Sequence, residues 1–469
     1  MRIRWAIPLF LPLCAGCVFA QSAPASSDRP WHAPGERQIE ADAKHFSEPV
    51  YNIEPDKVYS LAELVDLAET HNPETRVAWE GARAQAAALG VARSELYPTV
   101  AAVVLSQTGR EEIPLGSRFY RQTQQTFAGT LELNYTIFDF GARSGRIAAA
   151  GAELLTANFA FNDTHRKIVY RVAQTYYQLL NSSGQEDAAR ASLTNAQTAQ
   201  QAAEDRLKQG LATLPDVLEA RSATAQAQYD LQAALGAEEI ARGDLAAALG
   251  TRPTVAIHVQ PVDQLLIPES IGDSVDRAID RAFGQRPDLM QQLADIRTAN
   301  AQVKETRAAY YPTLSLSASP SAGSLYSLQQ TLPWGHTADL GGQLSVSLNW
   351  TLFDGGARKN NLARAEANVR SAEAQVSASR DRIADEVWRA YSNVKTALRQ
   401  RQAATAFLEA ASQSYAAALE SYNYGVRSFL DVTAAQRTLA QARSTDVFAR
   451  TQVLTTLADL AFGTGSLLR

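Results

Sequence analysis

Hydrophobic and polar residues alternate in three short segments of the chain. Residues 131–138 read LELNYTIF, residues 314–319 read LSLSAS, and residues 344–352 read LSVSLNWTL. A period of two predicts β-strands with one apolar and one polar face, as in strands that separate lipid from a watery lumen. We predict strands of about ten residues, long enough to cross an outer membrane when tilted. A half-buried sheet of a water-soluble protein gives the same alternation, so the pattern alone leaves both interpretations open.

The strand pattern ends twice in the sequence FDxGxR, and a long helical pattern follows each time. Asp139 and Gly141 belong to the first corner, and Asp354 and Gly356 belong to the second. Aspartate can cap the free N–H groups of a helix start, and glycine permits a tight turn. After the second corner, residues 357–424 contain neither glycine nor proline. About 68 helical residues extend about 100 Å, which predicts a coiled bundle instead of a globular core.

The second long helix carries the apolar seam of a coiled coil. The seam residues follow one another at alternating intervals of three and four, and they are Leu408, Ala411, Tyr415, Ala418 and Tyr422. This spacing keeps one stripe of side chains facing a partner helix. A soluble helical bundle would show the same seam.

The chain contains two copies of one unit. The sequence LNYTIFDFGAR at Leu133 returns as LNWTLFDGGAR at Leu348, an interval of 215 residues. Helical stretches that begin at Ser60 and Ser274 each lead to a YPT sequence, and we predict one continuous helix up to each YPT, because proline ends a helix. The predicted division is an extended lead over 21–57, a first repeat over 58–252, a linker over 253–273 and a second repeat over 274–469.

The N-terminus has the layout of a secretory signal. Arg2 and Arg4 precede an apolar run and then small residues, which predicts a signal peptide over residues 1–20 with cleavage after Ala20. A lipoprotein site with acylation of Cys17 is the alternative. Both cysteines of the chain lie in this segment, so no disulfide and no thiolate site is expected in the mature protein.

Composition narrows the function further. The net charge of −5 gives no basic footprint for nucleic acid. The six histidines are scattered and no HExxH, Walker or GxSxG motif occurs, so we predict no catalysis, no cofactor and no metal site. Two units supply four strands, whereas the smallest membrane barrels need eight, so copies of the chain must assemble around an axis. A soluble periplasmic coiled-coil adaptor is the alternative, but it leaves the paired strands unexplained.

These motifs together resemble the TolC-like outer-membrane efflux and secretion channels over about residues 58–469. The resemblance rests on the first helices, both YPT junctions, both FDxGxR corners, and the two hairpin sequences RLKQGLATLPDVLEA and SYNYGVRSFLDVTAA. It implies a mainly helical fold with membrane β-strands, and a homotrimer whose twelve strands form one β-barrel above a barrel of long helices. It also implies an outer-membrane location in contact with lipid, extension into the periplasm, a periplasmic adaptor, and an inner-membrane pump for efflux or type I secretion.

The hairpin sequences contain the predicted periplasmic gate. Gly210 and Gly425 each interrupt a long helix six residues before an aspartate, where glycine can open the backbone and aspartate can cap the returning helix. The resemblance implies that Asp216, Tyr422 and Arg427 link neighbouring coils and that Asp431 belongs to an acidic constriction. Two residues depart from the family pattern, Pro215 and Ala434. We therefore expect a looser gate and a constriction that binds cations less well.

Overall fold

The computed structural model describes residues 27–28, 36–45, 53–54, 57–329 and 333–468. The signal segment and the alternative lipidation site at Cys17 lie outside these residues. Helix α1 spans Glu36–His45 and belongs to a unit separate from the rest of the chain. This helix corrects the prediction of an extended lead. Most of its residues are good helix formers, and the Gln38 amide donates a hydrogen bond of 2.9 Å to the Asp42 carboxylate one turn later.

The second unit contains two copies of the same order of elements, namely a short strand, two helices, two long strands and two helices. The first copy consists of β1 Val58–Tyr59, α2 Leu61–His71, α3 Pro73–Ser94, β2 Thr99–Leu115, β3 Arg118–Phe138, α4 Ala142–Lys208 and α5 Leu214–Ala248. The second copy consists of β4 His258–Val259, α6 Val275–Gln285, α7 Pro287–Ala308, β5 Thr313–Gln329, β6 Gly335–Asn349, α8 Ala357–Asn423 and α9 Phe429–Thr464. Helices α4 and α8 have 67 residues each, which corresponds to about 100 Å.

The helix before each YPT is broken, contrary to the prediction of one continuous helix. Pro73 and Pro287 are the first residues of α3 and α7, and the preceding Asn72 and Arg286 are extended, with ψ of 128° and 119°. Proline lacks the N–H that would continue the earlier helix, and its ring disfavours a helical conformation in the residue before it. Each break therefore lets α3 and α7 leave at a new angle.

The four long strands form one antiparallel sheet in the order β2-β3-β5-β6. They have 17, 21, 17 and 15 residues, so the predicted length of about ten was wrong. A two-residue turn joins Leu115 to Arg118, and backbone pairing continues from there through polar pairs such as Glu112 and Arg121. Because a tight hairpin fixes the register of its strands, the ladder extends beyond the segment with alternating hydrophobicity.

The register separates an apolar face from a polar face. On the apolar face, Leu133, Ala318 and Leu344 lie side by side across β3, β5 and β6. On the polar face, Asn134, Ser317 and Ser345 are the corresponding neighbours, and the two serine hydroxyls are 2.8 Å apart. The apolar face is uncovered in the single chain; the Leu344 side chain, for example, is 73% exposed.

The long helices pair as hairpins, α4 with α5 and α8 with α9, and α4 also packs against α7 and α9 of the second repeat. The predicted coiled-coil seam is confirmed, because Ala411, Tyr415, Ala418 and Tyr422 are buried and Leu408 packs against the same cluster. None of the described helices is both long and apolar enough to span a bilayer.

Candidate functional site

The strand-to-helix corners have the same geometry in both repeats. The Asp139 carboxylate accepts hydrogen bonds from the backbone N–H groups of Gly141, at 3.2 Å, and Arg143, at 2.8 Å. The guanidinium of Arg143 donates to the same carboxylate at 3.0 Å. Asp354 accepts the equivalent bonds from Gly356 and Arg358. Each aspartate thus caps the first turn of a long helix and holds the arginine that follows it.

The corner glycines lie in the left-handed region, with φ of +102° for Gly141 and +89° for Gly356. Phe140, between Asp139 and Gly141, also has a positive φ of +50°. Its ring stacks on Tyr311 with centroids 5.0 Å apart. Large aromatic side chains are exposed at the same level, among them Trp350 and Phe353.

The hairpin tips are built from equivalent turns. Gly210 and Gly425 have φ of +73° and +77°. The N–H of the residue after each glycine bonds back to the carbonyl five residues earlier, Leu211 to Arg206 at 2.8 Å and Val426 to Ser421 at 2.9 Å. This pattern closes the end of a helix around a left-handed residue, which glycine adopts without steric cost.

The two predicted gate aspartates begin the returning helices. Asp216 Oδ2 accepts hydrogen bonds from the backbone N–H, at 2.9 Å, and the hydroxyl, at 2.7 Å, of Thr213. Asp431 Oδ2 accepts the equivalent bonds from Ser428, at 3.2 and 2.9 Å. These are capping boxes that satisfy N–H groups at the helix start. In the single chain, both carboxylates are therefore oriented by their own helices.

The structure places the other predicted gate residues in two environments. Tyr422 is buried and packs edge-to-face on Phe429 with ring centroids 5.3 Å apart. Burial raises the pKa of the Tyr422 hydroxyl, and the nearby negative charge of Asp216 raises it further. The side chain of Arg427 is exposed, as is that of Asp431. Within one chain, the charge of Asp216 acts on the Tyr422 hydroxyl, whereas the side chains of Arg427 and Asp431 are exposed to solvent.

Arg206 joins the two hairpins within one chain, which sequence reasoning missed. Its guanidinium donates to the carbonyl of Asn423 at 2.7 Å and lies 4.8 Å from the ring centroid of Tyr422. A basic residue in the last turn of a helix usually serves the carbonyls of that helix. The sequence alone gave no signal that this arginine also reaches the other hairpin.

Sequence reasoning also missed an ion network around two buried arginines. The guanidinium of Arg166 bonds to Asp163 at 2.6 Å and to the carbonyl of Phe462 at 3.1 Å. The guanidinium of Arg286 bonds to Asp288 at 2.6 Å and to Glu386 at 2.7 Å. Although burial alone would raise the pKa of Asp288, the hydrogen bonds and charge of Arg286 lower it below its ordinary value. The network connects α4 of the first repeat with α7, α8 and α9 of the second.

The part of the chain that the structure describes contains no cluster of three or more side chains able to hold a metal ion. The described features that have functional geometry are the two-faced sheet, the corners and the hairpin tips. The sequence model of the outer membrane efflux protein family matches residues 64–251 and 278–466, one match in each repeat. The chain belongs to the outer membrane efflux protein family. This membership identifies an outer-membrane transport protein and removes the alternative of a soluble adaptor.

Relatives in this family cover most of the chain. Protein CyaE of Bordetella pertussis is 30% identical over 411 residues, which cover 87% of this chain and 85% of that protein. Outer membrane protein TolC of Salmonella enteritidis is 24% identical over 431 residues, which cover 87% and 82%. The toluene efflux pump outer membrane protein TtgC of Pseudomonas putida is 25% identical over 419 residues, which cover 86% and 82%.

Solved structures of outer-membrane channels have the same fold. The outer-membrane channel OprN matches with a TM-score of 0.76 at 21% identity, covering 89% of this chain and 94% of that chain. VceC of Vibrio cholerae matches with a TM-score of 0.71 at 19% identity, covering 86% and 96%. The predicted combination of long coiled helices and four strands per chain is confirmed.

Proposed function

We propose that copies of this chain close into a homotrimer that forms a passive, gated conduit across the outer membrane and the periplasm. The observation that carries the proposal is the four-stranded sheet, in which β2 and β6 are each paired on one side only in the described chain. In lipid, an open sheet edge leaves backbone groups without hydrogen bonds, so the edges must pair with those of other copies. Three copies supply twelve strands, whereas one copy falls short of the minimum of about eight.

The two faces of the sheet support this arrangement. The apolar face presents leucine, valine and alanine side chains to outer-membrane lipid, and the row of Asn134, Ser317 and Ser345 faces the lumen. The long helices continue the lumen into the periplasm. A wide polar lumen is suited to transport without chemistry, so we propose a channel that is not an enzyme and needs no cofactor.

The hairpin tips supply the proposed gate. Asp216 and Tyr422 lie together inside one chain, and the exposed Arg427 is available to a neighbouring copy, with Asp431 in the constriction. Exposed ion pairs contribute only about 0–1 kcal/mol each, so a few such links give a gate that opens easily. Pro215 offers no hydroxyl and Ala434 no charge, which weakens the gate further.

We propose that the tips meet a periplasmic adaptor and, through it, an inner-membrane pump of an efflux or type I secretion system. The name of TtgC as an efflux pump outer membrane protein supports such partners. A passive conduit has no energy source of its own, so the pump would choose and drive the substrate.

The test is a single-channel recording of the purified protein in a planar bilayer, together with its mass in detergent. The wild-type protein should form trimers with a small, mostly closed conductance. Asp216→Ala combined with Arg427→Ala should raise the conductance, whereas Asp230→Ala, an exposed change higher on α5, should not. A monomer that never permeabilises the bilayer would contradict the channel, and unchanged conductance in the double variant would contradict the gate residues.

A further inference from the structure

Because the chain contains two repeats, each helix face in one repeat has an equivalent face in the other. Only one of the two equivalent helix pairs is packed together within the chain. Helix α4 packs against α9, whereas the equivalent pair, α8 and α5, does not pack together within the described chain. Thr451 on α9 is 3% exposed, and its equivalent on α5, Gly236, is exposed. On α5, Tyr229 and Ile240 are 70% and 68% exposed. Ring assembly would bring α8 of one copy against α5 of the next, as α4 meets α9.

The covered contact contains a triad of hydrogen bonds. Gln174 donates to the hydroxyl oxygen of Tyr170 at 2.5 Å, and the Tyr170 hydroxyl donates to the Asp459 carboxylate at 2.7 Å. The first two residues lie on α4 and the third on α9. This triad is a polar link across the packing surface between the two repeats.

The repeat interval of 215 residues gives the equivalent positions on the uncovered faces of α8 and α5. Tyr170 corresponds to Asp385, Gln174 to Arg389, and Asp459 to Asp244. Arg389 and Asp385 already form an ion pair on α8, with 2.9 Å between Nε and Oδ2 and with 70% and 55% of their side chains exposed. Asp244 is exposed on α5.

We propose that Arg389 bridges Asp385 of its own copy and Asp244 of the next copy, in an ion triad at each subunit boundary. The proposal rests on the ring assembly proposed above. Without Arg389, two carboxylates would face each other across the boundary, which is unfavourable. With Arg389, the planar guanidinium has N–H groups for both carboxylates. The link within the chain carries only the charge of the Asp459 carboxylate, whereas the proposed link between copies joins one guanidinium to two carboxylates.

A second equivalent pair supports the same register. Gln185 on α4 donates to the carbonyl of Ser444 on α9 at 2.9 Å. The equivalent residues are Gln400 on α8 and Tyr229 on α5, and both are exposed in the single chain. Because glutamine stands at both equivalent positions, the Gln400 amide of one copy can donate to the Tyr229 carbonyl of the next copy in the same way. This second link would lie about three to four helical turns from the ion triad.

A charge exchange tests the triad in the full-length protein in detergent. Arg389→Glu and Asp244→Lys, each alone, should speed dissociation of the ring about tenfold, since close charge pairs at interfaces are strongly coupled. The two substitutions together should restore most of the wild-type rate, because Lys at 244 then meets Asp385 and Glu at 389. Ring dissociation is followed on heated gels and by mass.

The matched control combines Arg389→Glu with Asp230→Lys. This double variant has the same net charge as the variant that combines Arg389→Glu with Asp244→Lys. Asp230 corresponds to the partly exposed Thr445, whose hydroxyl bonds within its own helix to Gln441, and position 230 lies about four helical turns from Asp244. Rescue by this control, or single variants that dissociate like wild type, would overturn the triad while leaving the ring intact. A wild-type protein that is monomeric overturns the ring and the triad together.

A cysteine pair gives a second measurement that does not depend on charge. Asn181 and Thr451 are in contact at 3.2 Å, and their equivalents are Thr396 and Gly236. Thr396→Cys with Gly236→Cys should form disulfides between copies and give dimers and trimers on a non-reducing gel. Either cysteine substitution alone should give no disulfide-linked dimers or trimers. A pair that stays monomeric under oxidation would contradict the proposed register.

Discussion

Gly184 offers a sensitive test of how tightly the two repeats pack. It lies on α4, and a Cβ atom built there would be 2.6 Å from Cγ1 of Val447 on α9. Ordinary contacts begin near 3.4 Å, so Gly184→Ala requires a shift of about 1 Å between the helices. Val447 cannot turn aside easily, because β-branched residues in helices have one strongly preferred rotamer. Overpacking of this kind costs about 1–3 kcal/mol.

The helix propensity of alanine opposes this cost. Replacing glycine by alanine inside a helix contributes about 1 kcal/mol. Gly151 lies on the same helix with nothing within 4 Å of its added Cβ, so Gly151→Ala gains the propensity without the clash. The two variants should therefore differ by about 1–3 kcal/mol, which isolates the steric contribution.

The assay is the half-life of helical circular dichroism at one elevated temperature in detergent. Gly151→Ala should last as long as wild type or longer, and Gly184→Ala should unfold sooner, by about tenfold for each 1.4 kcal/mol. Adding Val447→Ala to Gly184→Ala should recover part of the loss, because the smaller side chain makes room for the new methyl group. Equal half-lives for the two alanine variants would refute the close packing of α4 on α9.

Four further outcomes are expected. Leu344→Arg on the apolar face of the sheet should reduce insertion into lipid vesicles, at a cost of up to about 2–4 kcal/mol, whereas Ser345→Arg on the polar face should insert normally; equal insertion would contradict the assignment of the faces. Gly210→Ala should shorten the unfolding half-life through a left-handed backbone cost of about 1–2 kcal/mol, and Gly210→Asn should cost less. Arg286→Asn should destabilise the helical region by about 1.5–3 kcal/mol, because it removes the charge-assisted hydrogen bonds that the buried guanidinium donates to Asp288 and Glu386. Because the pKa of Asp288 is lowered in the folded chain, its contribution to stability is present above about pH 4 and lost as the pH falls through the folded pKa; the difference in half-life between wild type and Asp288→Asn should shrink at low pH, and a constant difference would be contrary to this account.

Sequence reasoning predicted the features that depend on local patterns. The corner at Asp139 and the seam at Tyr415 follow from capping chemistry and heptad spacing, and both lie where the pattern indicates. The proline at position 73 indicates the break, but the helical pattern continues on both sides of it and predicts a single helix. The ends of the strands could not be predicted from alternation, since the hairpin turn extends the pairing into charged residues.

Contacts between distant segments could not be predicted from the sequence, because they depend on how the chain folds. Arg206 and Arg286 resemble ordinary surface arginines in the sequence, and only the fold brings Asn423 or Glu386 to them. The predicted gate is an intermediate case. The local capping of Asp216 is a property of one chain, whereas any link through Arg427 needs a neighbouring copy.

The junction between α2 and α3 and the equivalent junction between α6 and α7 contain different residues. In the first half, the amide of Asn72 donates to the carbonyl of Ala248 at 3.2 Å. In the second half, Arg286 donates to the equivalent carbonyl of Gly463 at 3.3 Å and engages Glu386 as well. The residue equivalent to Glu386 in the first half is Arg171, so an arginine at position 72 would meet a like charge, and the two halves are not interchangeable at this junction.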